Sequence, residues 1–404
     1  MKTDYNLRVP YGLAVHGKEE EDRVLAVLRE RRTILGQETT AFEKGVARIL
    51  GKKYAVMVNS GSSANLLAVE LLNLPEKSEI ITPILTFATT VAPLVMKNLT
   101  PVFVDVEEGS YQINLSQLEK AITKKTRALM IPLLLGNVSN LEKIKSLAKK
   151  HKLLIILDSC DTLGAKYRGK RVGSFADICT TSFYGSHIIT AGGNGGMVAV
   201  DLKSYRDKTK VLRGWGRGSA LYDESESFKN RFRTKLEGVP YDAKFIFSDI
   251  GYNFLPMELG SAFGNAQLEK LEKFQKIRIS NFKSLYKFFK DYESFFILPK
   301  QDASVFTQWL AFPLTIRNNA PFDRISIVTY LEQNNIQTRP IFTGIITKQP
   351  GFAAIKQKSP FKNFPVAQSI MKRGFVIGCH QGLTESQINK IKKTFVDYLM
   401  PFIK

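Results

Sequence analysis

Seven short apolar runs, at 54–58, 79–82, 102–106, 128–133, 153–157, 178–182 and 197–200, alternate through the first half of this chain with segments of helical period. Runs that are apolar throughout, rather than at every second residue, belong to strands covered on both faces. Helical patterns at 64–72, 89–97, 115–121 and 141–151 separate several of them. Such alternation implies an α/β fold, with a mostly parallel seven-stranded sheet between layers of helix. Ahead of it, 18–50 reads as helical with a break at Thr33-Ile34-Leu35-Gly36. From 204 to 250 charged and aromatic residues follow one another without clear period, and a long helix over 258–292 comes next, with Leu268, Leu271 and Phe274 on one face. After Pro299 the spacing predicts strands at 308–314 and 375–378 and helices at 324–334 and 385–399. The division expected is a large domain over 1–255, then the long helix and a smaller C-terminal α/β domain over 256–404.

Charge and cysteine content narrow the classes of function. The formal net charge is +21, yet the basic residues are spread along the chain. The densest clusters, Arg29 to Arg32 and Lys143 to Lys152, fall on amphipathic helices with solvated faces. This argues against a basic stripe for nucleic acid and suits attraction of an anionic small molecule. No apolar run is long enough to span a bilayer, and the opening Met1-Lys2-Thr3-Asp4 lacks the apolar core of a secretion signal. Cys160, Cys179 and Cys379 are the three cysteines. They form no Cys-x-x-Cys pair and fit a reducing, cytoplasmic setting.

Four places carry chemistry. Gly61-Ser62-Ser63 follows the 54–58 strand and opens a helix, where close backbone approach and free N–H groups favour a phosphate; an ordinary capped helix would read the same way. Leu157-Asp158-Ser159-Cys160-Asp161 ends an otherwise apolar strand. Carboxylates at the carboxyl end of a parallel strand lie where ligands bind, although either aspartate also suits a helix cap. Phe87 stands in Thr82-Pro83-Ile84-Leu85-Thr86-Phe87, a strand-end loop. His187, in Thr181-Ser182-Phe183-Tyr184-Gly185-Ser186-His187, precedes a glycine-rich run from Gly192 to Gly196. Its imidazole, with an ordinary pKa of about 6.5, moves protons near neutral pH. His16, His151 and His380 lack such a setting, and Lys166 and Lys170 lie in a polar, turn-like stretch.

Taken together these motifs resemble the fold-type-I pyridoxal-phosphate enzymes that act on nucleotide sugars, over nearly the whole chain from Val9. In the aminotransferases of that family a lysine five residues after the serine binds the cofactor covalently; here that residue is His187, which cannot form a Schiff base. The resemblance therefore points to the 3-dehydratases that use pyridoxamine phosphate on 4-keto-6-deoxy nucleotide sugars. It implies that Asp158 keeps the pyridine nitrogen protonated, that Asp161 lies at the cofactor's edge and that Phe87 stacks on its ring. It further implies that Gly61, Ser62 and Ser182 hold the phosphate, and that Asn253, in Gly251-Tyr252-Asn253, reaches the phosphate of the partner in a homodimer with shared active sites.

One branch of these dehydratases carries an iron–sulfur cluster on four cysteines clustered after Trp-Gly-Arg. Here Trp215-Gly216-Arg217 is followed by Gly218-Ser219-Ala220-Leu221-Tyr222-Asp223, without cysteine. Thr338-Arg339-Pro340-Ile341-Phe342-Thr343-Gly344 and His380-Gln381 look like the cluster-free branch, typified by GDP-4-keto-6-deoxymannose 3-dehydratase. Arg217 and Arg339 are then expected on anionic groups of the sugar nucleotide or of the amino donor, glutamate; surface salt bridges are the plainer alternative. The implied reaction removes the C3 hydroxyl, leaving a 3-deoxy-4-keto sugar and ammonia. Two rivals remain: a nucleotide-sugar aminotransferase with another base, and a non-catalytic binding protein.

Overall fold

The computed structural model describes residues 7–222 and 227–403; Met1-Lys2-Thr3-Asp4 and Asp223 lie outside the described residues. Its centre is the expected sheet of seven strands: β1 (Tyr54–Val58), β2 (Glu79–Pro83), β3 (Thr100–Val104), β4 (Thr126–Pro132), β5 (Leu154–Asp158), β6 (Ile178–Ser182) and β7 (Gly196–Val200), in the order β1-β7-β6-β5-β4-β2-β3. β7 runs antiparallel to both its neighbours; the remaining pairs are parallel. β2, β5, β6 and β7 are buried at every residue, apart from the half-buried Leu154 that begins β5. That is why these segments read as unbroken apolar runs rather than alternating ones.

Helices α1 (Lys18–Arg29), α2 (Gln37–Leu50), α3 (Gly61–Leu71), α4 (Ala88–Met96), α5 (Leu115–Ala121), α6 (Leu141–His151) and α7 (Lys203–Arg213) surround the sheet. One core, holding Phe42, Met57, Ile131, Leu157 and Phe183, packs on one set of strand side chains. Another, holding Val58, Leu67, Met130, Ile156 and Val198, packs on the alternate set beneath α3. A four-stranded antiparallel sheet, in the order Phe296–Ile297, Phe312–Ile316, Gly374–Ile377 and Thr338–Pro340, builds a third core in the C-terminal part. This core also takes in Val9, Ile84, Leu85 and Phe103 from the front of the chain.

Three elements differ from their sequence patterns. The helix expected over 258–292 is two, Glu258–Glu269 and Leu271–Phe289, jointed at Lys270, whose ammonium is held by Glu20 at 2.7 Å and Glu19 at 3.0 Å. The strand expected at 308–314 begins only at Phe312, because the preceding backbone pairs with a loop instead: Leu310 N–H donates to Leu135 O at 2.8 Å. Within 204–250, α7 and a hairpin of Thr234–Leu236 with Val239–Tyr241 were hidden by exposure. α7 buries only Thr209, Val211, Leu212 and Arg213, and the hairpin buries nothing.

The break at 33–36 also has a cause. α2 is capped from a distance by the buried Glu258 carboxylate, which accepts from the N–H of Gly36 (2.9 Å), Glu38 (2.7 Å) and Thr39 (3.1 Å). These are donors that no residue within α2 satisfies. Replacing Glu258 by alanine removes the acceptor of the buried Thr39 N–H and of two partly buried ones, and a loss of about 2–3 kcal/mol is expected. Urea unfolding of the purified variant checks this; a loss below about 1 kcal/mol would show that water replaces the carboxylate.

Candidate active site

The parallel strands end on one edge of the sheet, and a cavity of about 640 Å³ opens there between that edge and the C-terminal part. Gly61, Ser62, Phe87, Asp158, Asp161, Ser182, His187 and Arg339 all line it. Eight of the ten residues singled out in the sequence thus converge, from stretches separated by up to 278 positions. Arg217 and Asn253 do not reach this cavity within the chain. The Arg217 guanidinium lies over the Trp215 ring, 4.3 Å from its centroid. Asn253 is exposed, its backbone bridged to Gly214.

The floor is a buried polar cluster. Asp158 ends β5, and its Oδ2 accepts from Asn65 Nδ2 at 2.8 Å and Thr90 Oγ1 at 3.1 Å. Cys160 N–H donates to Oδ1 at 3.2 Å. Asn65 in turn accepts from Thr180 Oγ1 at 2.6 Å, so α3, α4, β5 and β6 are pinned to one carboxylate. The opening turn of α3 borders the same space. Ser60 caps it through Ser63 N–H, leaving the N–H groups of Gly61 and Ser62 for a ligand. A Cβ on Gly61 would lie 2.6 Å from Ser182 Cβ and 3.2 Å from Cys160 Sγ. Only glycine lets the helix end approach β6 this closely. Phe87 is 52% exposed, an open aromatic face inside a cavity, with Phe342 edge-on at 6.4 Å.

His187 lies in the loop after β6, its ring 17% exposed, with Nε2 3.8 Å from Asp161 Oδ1 and Nδ1 buried without a partner. Tyr184 stands edge-on at 6.0 Å. Burial pushes the imidazole down to about 4, helped by the Arg278 charge and opposed by the Ser182 backbone and Asp158. Burial and the Asp158 charge push Asp161 the other way, up to about 7, against the Leu135 N–H bond at 2.9 Å and Arg278. A neutral imidazole therefore faces a carboxyl group poised between its two forms at neutral pH. Among the described residues, no lysine lines the cavity. Lys166 and Lys170 lie elsewhere, on two paired two-residue strands where Lys166 faces Arg171 and Lys170 faces Tyr167, with the Lys166 ammonium over the Phe306 ring.

Sequence reasoning missed Tyr11 on the cavity wall and Arg278 away from its lining. Tyr11 comes from an N-terminal stretch without period, and Arg339 lies over its ring at 5.7 Å. Arg278, wholly buried in Leu271–Phe289, reads in the sequence as one more charge on a solvated helix. His380, expected to carry a branch signature, is structural: Nε2–H donates to Pro10 O at 3.0 Å and Nδ1 accepts from Gly382 N–H at 3.2 Å.

The raised Asp161 affinity has a measurable sign. Its proton is bound more tightly in the folded chain than at the ordinary 3.8. Its contribution is therefore most stabilising below about pH 4 and is lost as pH rises through about 7. Asp161→Asn keeps an acceptor for Leu135 N–H but cannot ionise. Its stability relative to the wild type is expected to climb between about pH 4 and 7 and level off above. Thermal melts across that range test it, and a flat difference would place the shift elsewhere.

Comparison with known proteins sets this geometry in context. The DegT/DnrJ/EryC1/StrS aminotransferase family pattern matches residues 15–396. The lipopolysaccharide biosynthesis protein RfbH of Salmonella typhimurium is 34% identical over 400 residues, spanning 96% of this chain and 91% of its own length. A dTDP-4-dehydro-2,6-dideoxy-D-glucose 3-dehydratase of Saccharopolyspora spinosa is 34% identical, over 94% of this chain and 85% of its own. Among solved structures, the E. coli GDP-4-keto-6-deoxy-D-mannose-3-dehydratase with bound hydrated PLP superimposes with a TM-score of 0.86 at 27% identity, covering 96% of this chain and all of that one.

Proposed function

Because the chain belongs to the DegT/DnrJ/EryC1/StrS aminotransferase family, we propose that it is a pyridoxamine-phosphate-dependent 3-dehydratase of a 4-keto-6-deoxy nucleotide sugar, acting in the cytoplasm. The observation that carries this reading is His187: a proton carrier stands where the family's aminotransferases keep a lysine, and no lysine among the described residues lines the cavity. The cofactor fits what is there. The Gly61 cradle would fill with any larger residue, and the buried Nδ1 of His187 lacks a partner.

The N–H groups of Gly61 and Ser62 and the hydroxyls of Ser62 and Ser182 would hold the phosphate. The Asp158 carboxylate would hold a proton on the ring nitrogen, and Phe87 would cover one face. When bound, the cofactor supplies an amine for the sugar's C4 ketone and an electron sink that makes the C3 hydroxyl a leaving group. His187, neutral near pH 7, takes a proton at the cofactor's C4′ and delivers one to the departing C3 oxygen. The overall balance is glutamate plus the hydroxy sugar to 2-oxoglutarate, ammonia and the 3-deoxy sugar. The sugar's two-electron reduction is matched by oxidation of the amino acid. Arg339 at the cavity wall and Arg217 beside Trp215 are proposed contacts for anionic groups of nucleotide or donor. With three cysteines in the whole sequence, four cysteine ligands cannot come from one chain, so an iron–sulfur cluster has no part in this proposal.

Asn253 needs a second copy to matter. It adjoins an exposed apolar surface of Phe245, Phe247 and Ile250, the last 98% exposed. We propose that a homodimer covers this surface and carries Asn253 to the partner's cofactor phosphate. Light scattering should give twice the 45.5 kDa chain mass. Ile250→Asp should shift the protein towards monomer and lower activity while the fold holds; a monomeric wild type with full activity removes Asn253 from the site.

The reaction is tested by product mass. With cofactor, glutamate and a panel of 4-keto-6-deoxy nucleotide sugars, a 3-deoxy product and free ammonia are expected. A stable amino sugar would make the protein an aminotransferase, and no conversion with no cofactor uptake would make it a binding protein. His187→Asn should lower dehydration by ~10²–10⁴-fold, the usual range for general acid–base catalysis. Cofactor absorbance should persist in that variant.

A further inference from the structure

Arg278 is wholly buried, yet it makes no contact with a carboxylate among the described residues. Its guanidinium spends its donors on neutral acceptors: Gln381 Oε1 at 2.6 Å, Leu310 O at 3.0 Å, Trp309 O at 3.3 Å and His187 O at 3.4 Å. Burying a cation without a contact ion pair is costly. An apolar side chain of similar length would fill the same space without that cost. The acceptors have one thing in common: they belong to three segments at the cavity, namely the loop after β6, the stretch entering Phe312–Ile316 and the stretch leaving Gly374–Ile377. Gln381 extends the grip by donating from Nε2 to Ile188 O at 3.3 Å. Two successive carbonyls of the His187 loop are thus tethered to one guanidinium–amide pair.

We propose that Arg278, with Gln381, is the positioning residue of this site: it fixes the His187 loop against the cavity wall and sets a permanent positive charge beside it. The proposal rests on reading His187 as the proton carrier. The groups that face His187 are Asp161 at 3.8 Å, Asp158, Tyr184 and Arg278. Those that face Arg278 are Asp161, Tyr11, Cys379 and His380, with Arg339 acting on Tyr11 and Cys160 beside Asp158. His380 is hydrogen-bonded as a neutral ring, so it supplies no second cation. Arg278 opposes a proton on His187 and favours the ionised form of Asp161. It therefore adds to burial in keeping the imidazole in the form that accepts a proton.

The test uses the full-length protein labelled with [13Cε1]histidine. Its four histidines give few resonances, and His187→Asn assigns the one that matters. Titration of the wild type, Arg278→Gln, Arg278→Lys and Gln381→Leu reads the His187 pKa directly. Arg278→Gln should raise it by about one unit or more, the scale of a single nearby charge. Arg278→Lys keeps the charge and should leave the pKa in place, while losing the fork should lower kcat by roughly tenfold at unchanged KM. Gln381→Leu should likewise lower kcat without moving the pKa.

A folded Arg278→Gln protein whose His187 titrates as in the wild type overturns the proposal. If that variant does not fold, wild-type kcat in both Arg278→Lys and Gln381→Leu overturns it instead. The titration needs neither sugar nor cofactor. A failure of the dehydratase reading would appear in the products while the titration result stood on its own.

Discussion

The Asn65 side chain joins the elements on which the site depends. It gives one hydrogen to Asp158 and takes one from Thr180, and Thr90 adds a second donor to the same carboxylate. A lone carboxylate at the end of a buried strand would be expelled or protonated. Held by three donors, it becomes the anchor on which α3 and α4 converge, and their converging N-terminal ends bring Gly61, Ser62 and Phe87 to the cavity. The polar cluster thus specifies geometry that the surrounding cores, being apolar and tolerant, could not specify.

Much of this was legible in the sequence because burial on both faces writes itself as continuous apolar runs. β1 and β6 begin and end where their patterns do, and α5 and α6 match their spans residue for residue. The floor of the cavity and the opening turn of α3 beside it were legible as well, because strand ends in a parallel sheet fall on one edge. Legibility stops where a residue's partner lies far away in sequence. Glu258 caps a helix more than two hundred residues earlier, and α7 shows too little buried surface to print a period. Arg278 is the sharpest case: nothing in Lys276-Ile277-Arg278-Ile279 tells a buried cation from a solvated one.

Electrostatics give the cavity its direction. Two buried carboxylates and one imidazole border the cavity, and the wholly buried Arg278 guanidinium holds the His187 loop beside them. In such a setting like charges cannot all persist. Burial first, and the neighbouring Asp158 charge second, push Asp161 up to about 7. The imidazole, pressed by burial and by Arg278, gives up its proton instead of pairing with Asp161 across 3.8 Å. A ring without a proton beside a carboxyl group poised between its two forms can take up a proton, as the proposed reaction requires at its start.

Exchanging a covalent lysine for a proton carrier has a consequence for binding. On the proposed reading nothing in this chain tethers the cofactor, so its residence rests on non-covalent contacts: two helix N–H groups, two hydroxyls, one carboxylate and one aromatic face. A helix terminus contributes only about 0.3–1 kcal/mol per exposed charge, rising when partly buried. The contacts must therefore be close and dry. Gly61 meets that demand, since any Cβ there would push α3 away from Ser182. So does Asp158, whose fixed rotamer spares the cost of ordering it on binding. A cofactor held this way can change between its amine and aldehyde forms without first displacing a lysine, which suits a cycle that must be recharged by an amino donor after every turnover.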